Sequence, residues 1–161
     1  MEITQSETTI TAGIPASDPT DADDINGLDF SMIKLKLQDT DEGPGWSIEK
    51  CEEAEEGYRR FLALKRAYPD RDIVPNRPVD VFWHQHILDT EKYAKDCETI
   101  FGYFLHHYPY FGMQGEEDHA NLCATFEETA ALYAEHFSGS WGSSVKNRAK
   151  CRTKCKPMRC K

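Results

Sequence analysis

The chain has 161 residues, a net charge of −9 at pH 7 and 39% hydrophobic residues. That length suits one domain, and the low apolar share predicts that part of the chain stays outside the packed core. The longest apolar runs, such as residues 61–64, are far shorter than the roughly 20 residues a membrane-spanning helix needs. Residues 1–26 hold neither a base nor an apolar block, so no secretory signal is expected and the expected location is cytoplasmic.

Charge is distributed unevenly. Residues 1–26 carry six acids and no base, whereas residues 145–161 carry eight bases and no acid. A basic tail on an acidic body either folds back or binds an external anion. The tail has no aromatic residue to stack on bases, so the composition makes no strong case for nucleic acid. Three domain-level pieces are expected: a disordered acidic segment over 1–26, a helical domain over 27–140, and a linker with a basic, cysteine-bearing tail over 141–161.

Within 28–37, Phe30, Met32, Ile33, Leu35 and Leu37 fit a short helix or a strand, and periodicity does not decide. Gly43, Pro44 and Gly45 punctuate a loop. Ser47 then caps a helix whose apolar side includes Cys51, Ala54, Tyr58, Phe61 and Leu62, with favourable Glu55–Arg59 and Glu56–Arg60 pairs, and Pro69 ends it. Pro78 suits the first turn of a helix over about 78–88 that is apolar nearly all round and should be central. Asp89 or Thr90 caps the next helix, which ends at Gly102. Residues 103–115 form an aromatic loop. A last helix over about 118–137 buries Cys123, Phe126, Ala130, Tyr133 and Phe137, and 138–144 is a Gly/Ser linker interrupted by Trp141. The fold class is therefore mainly α, a bundle of about five helices.

Chemistry concentrates between residues 78 and 115, where four of the six histidines fall. Neutral imidazole is the commonest metal-binding side chain, and three or four such groups hold zinc or iron. The candidate ligands are His84, His86, His106 and His107. Asp80, one turn before His84, and Asp89, three residues after His86, are candidates to orient the rings through their other nitrogens. Residues two apart on a regular helix point to nearly opposite sides, which opposes a joint role for His84 and His86. Without metal, the same rings would be core groups with hydrogen-bond partners. Cys97 with Asp96 and His106 or His107 could also be drawn as a thiol nucleophile and its base, but Cys97 falls on the inward face of its helix.

The segment Trp83-His84-Gln85-His86-Ile87-Leu88-Asp89-Thr90, followed by Tyr93, Asp96 and Cys97, resembles the glycine-rich domain-containing protein-like family. Phe101-Gly102, His106-His107 and Pro109-Tyr110-Phe111-Gly112 resemble its short bacterial members. The likeness is sharp over about 78–115 and a general helical similarity elsewhere in 27–137. It implies a helical domain with a Trp-His-x-His motif at its centre and carries no defined reaction.

The tail sets Cys151, Cys155 and Cys160 each between two bases. Neighbouring cations enrich the thiolate, which favours a soft metal such as Cu(I), oxidation or enzymatic modification. The combined reading is a non-catalytic helical module that binds a metal ion or an unidentified protein partner through its histidine cluster. One alternative is a precursor whose tail cysteines are substrates of a modifying enzyme. The other is a metal-dependent enzyme with an open coordination position.

Overall fold

The computed structural model describes residues 18–142. Its elements are six helices: α1 (Asp23–Asn26), α2 (Ser31–Gln38), α3 (Ile48–Ala67), α4 (Arg77–Leu88), α5 (Thr90–Phe101) and α6 (Glu116–His136), with no strand among the described residues. They form a compact helical bundle, so the mainly α class holds.

Segment 28–37, open between helix and strand by pattern, is helical because its buried pair is Ile33 and Leu37, four residues apart. Met32 and Leu35 face outward at 67% and 61% exposure, which a period of two would not give. Ser47 caps α3 by accepting from the Lys50 amide at 3.3 Å. Asn76 caps α4 in the same way, accepting from the Val79 amide at 3.0 Å, with Pro78 in the first turn. Gly102 ends α5 in a left-handed conformation, with φ +69°.

Helices α3 and α4 are the central pair. α4 also packs on α2 and α5, and α3 also packs on α1, α2 and α6. Phe30, Tyr58, Phe61, Phe82, Trp83 and Tyr93 build an aromatic core between them, with edge or tilted ring contacts such as Phe30–Phe82 at 5.5 Å and Phe61–Trp83 at 4.9 Å. α4 is central as expected, but it is not buried all round: Leu88 is exposed, and the His84 face opens outward.

Two expected boundaries need correction. Packing begins before residue 27, because Ile25 in α1 is fully buried. Arg59 donates to the carbonyls of Ile25 and Leu28, and Arg66 pairs with Asp24 at 2.7 Å, so α3 clamps this polar turn in place. At the other end, Trp141 is no linker interruption. It is buried, its Nε1–H donates to the Val74 carbonyl at 3.0 Å, and its ring lies 4.9 Å from that of Tyr133. α6 starts two residues before Asp118. Its buried positions are Leu122, Phe126, Thr129, Leu132 and Tyr133, while Cys123, Ala130 and Phe137 are only half-buried. No helix of the described residues is long and apolar enough to cross a membrane.

Candidate metal centre

Asp80 and His84 lie four residues apart on α4, so both project from one face of the helix. His107 reaches the same face from the loop between α5 and α6. Each of the three offers one ligand atom, and these atoms all lie within 4.8 Å of one another. His107 Nε2 is 3.3 Å from Asp80 Oδ1, and the His84 and His107 ring centroids are 4.5 Å apart. Asp80 is buried, His107 is half-buried and His84 is exposed, so the group spans the protein surface.

The tautomer of His84 follows from its partner. Nδ1 lies 2.6 Å from the Asp80 carbonyl, which can only accept, so Nδ1 carries the proton and Nε2 keeps its lone pair. Trp83 supports His107 from beneath, with ring centroids 4.5 Å apart.

The loop that brings His107 is fixed by a buried relay. Trp83 Nε1–H donates to the Tyr93 hydroxyl at 2.9 Å, and that hydroxyl donates to the Leu105 carbonyl at 2.6 Å. Burial raises the Tyr93 pKa, which keeps its proton available for this bond. Gly112 fixes the far side of the loop. Its φ is +79°, and a Cβ there would lie 2.4 Å from Leu122 Cδ2 on α6.

His86 does not join the triad. It is 1% exposed and faces inward, with Nδ1 2.9 Å from the Tyr58 hydroxyl and Nε2 3.0 Å from Asp96 Oδ2. A carboxylate only accepts, so Nε2 carries the proton and Nδ1 accepts from Tyr58; both nitrogens are engaged. Lys92 also reaches Asp96, at 2.8 Å. Burial lowers the His86 pKa to about 4, with Asp96 opposing that shift, so the ring is neutral near pH 7. Spacing on α4 separates it from His84, and a buried polar network gives it another role.

Asp89, expected to orient His86, is exposed at the α4–α5 junction, and Asp96 makes that contact instead. His106 is exposed beside Phe104, with ring centroids 5.0 Å apart. Asp80, expected only to orient His84, offers a ligand atom itself; its i,i+4 spacing to His84 was the signal for that. Cys97 is buried and burial raises its thiol pKa, which disfavours the thiolate a nucleophile needs. Cys151, Cys155 and Cys160 lie outside the described residues.

A cleft of about 360 Å³ opens beside the triad. Asp80 and His107 line it together with His106, Trp83, Phe111 and Lys65. Two imidazoles and one carboxylate at such spacing could together hold a metal ion.

A family model described as UCP032817-like matches residues 26–129. That finding overturns the resemblance to the glycine-rich domain-containing protein-like family, which nothing in the comparisons indicates. The shared Trp-His-x-His stretch was too short to identify a family, and the chain has ten glycines with no run of them. No curated protein and no solved structure matches the chain.

Proposed function

We propose that this chain, which belongs to the UCP032817-like family, is a helical metal-binding module that holds one zinc or iron ion between Asp80, His84 and His107. The observation that carries the reading is the convergence of three ligand atoms, from one helix face and one loop, within 4.8 Å. A tetrahedral ion held by three protein groups keeps one position open, and the adjoining cleft is where an external ligand would approach it.

The bond from His84 Nδ1 to its own helix backbone supports the reading, because it fixes the ring beside Asp80. His107 Nε2–H donates to Asp80 in the metal-free protein. Ion binding would replace that proton and turn both groups into ligands.

The test is elemental analysis of the purified full-length chain, its His84→Ala variant and its His107→Ala variant. The expected result is about one zinc or iron per chain in the parent and a large loss in both variants. The His84 side chain is 48% exposed, so its removal should leave the fold intact and isolate the effect on metal. No metal in the parent after equilibration with zinc, or full occupancy in both variants, would overturn the reading.

A further inference from the structure

Metal binding leaves one feature of the cleft unused. Lys65, in the last turn of α3, lines it, yet its side chain makes no hydrogen bond or ion pair with any of the described residues. Burial holds its pKa below the ordinary lysine range, and the charge of Asp72 offsets this only in part. A cation drawn off the surface without a bonded partner gains from any anion that enters beside it.

The rest of the cleft narrows the choice of anion. Ile73, Val74, Trp83 and Leu122 present buried apolar walls, and Phe111 is half-buried beside them. Asp72 and Asp80 already bring two carboxylates. A divalent ion and Lys65 exceed those two acids by a single positive charge, which suits a monoanion better than a phosphate dianion. The volume, about 360 Å³, is at the small end of ligand pockets.

We infer that the cleft binds a small monocarboxylate with an aromatic or branched apolar body, its carboxylate held between Lys65 and the metal ion. This rests on the metal reading above. The body lies against Trp83 and Phe111, and the head group fills the open coordination position. Lys65 is a binding residue for that ligand and no part of the metal's own ligand set.

Calorimetric titration with benzoate and neutral benzamide tests this on the zinc-loaded full-length chain, with zinc per chain measured in parallel. Benzoate should bind at least about tenfold more tightly than benzamide. Lys65→Met should weaken benzoate by about tenfold or more, and Lys65→Arg should restore most of the loss. Zinc content should not change in either variant. If zinc is bound but benzoate shows no advantage over benzamide, or Lys65→Met binds it as the parent does, this inference is overturned and the metal reading stands. If the parent takes up no zinc, both fall.

Discussion

Replacing Tyr93 with Phe removes one oxygen that serves two buried partners at once. The hydroxyl accepts from Trp83 Nε1–H at 2.9 Å and donates to the Leu105 carbonyl at 2.6 Å, and Trp83, Tyr93 and Leu105 are 4%, 1% and 8% exposed. Both orphaned groups belong to buried residues, and each buried unsatisfied polar group costs about 1–3 kcal/mol. The expected destabilisation of Tyr93→Phe is therefore about 2–4 kcal/mol, read as a fall in the urea midpoint at unchanged m-value. Leu105 lies two residues before His107, so the loop should also lose its register on α4. Zinc affinity should drop by about tenfold or more, as for other groups that position metal ligands. A loss of less than about 0.5 kcal/mol, within the range of neutral surface changes, would refute the reasoning. So would full stability loss with unchanged zinc affinity, because the relay would then hold the core without positioning His107.

Gly112→Ala should destabilise by about 2–5 kcal/mol, combining left-handed backbone strain with overpacking against Leu122, and thermal unfolding would read it. An unchanged melting temperature would show that the loop relaxes freely. Acid should weaken the metal-free protein through His86. The unfolded ring takes a proton near pH 6.5 and the folded ring only near pH 4, so stability falls as pH drops across that window, by up to about 3 kcal/mol. Asp96, Lys92 and Asp89 set the charge around the ring, and Tyr58 caps its other nitrogen. A His86→Asn variant losing stability just as steeply between pH 6.5 and 4 would contradict this. Trp141→Ala should cost about 3–5 kcal/mol, since it empties a buried ring site and orphans the Val74 carbonyl. A loss below about 0.5 kcal/mol would mean that Trp141 is not part of the core.

The helices were legible wherever their ends carry local chemistry. Ser47, Pro78 and Gly102 mark their boundaries because capping and backbone restriction act within a few residues. α1 was not legible, because its stability is long-range: a polar stretch becomes ordered only when Arg59 and Arg66 on α3 meet its carbonyls and Asp24. Trp141 was misread for the same reason, its partner Val74 being 67 residues away. At the site, local spacing pairs Asp80 with His84, but only the course of the loop decides that His107, and not His106, meets them. The role of His86 depends on Tyr58 and Asp96, which lie on two other helices.

The most direct test of the metal reading is the position of the ion itself. Crystals of the full-length chain grown with zinc, measured on both sides of the zinc absorption edge, should show one anomalous peak about 2.0–2.2 Å from Asp80, His84 and His107. A peak at another site, such as the His119–Cys123 pair on α6, or no peak among these three residues at full zinc loading, would contradict the account.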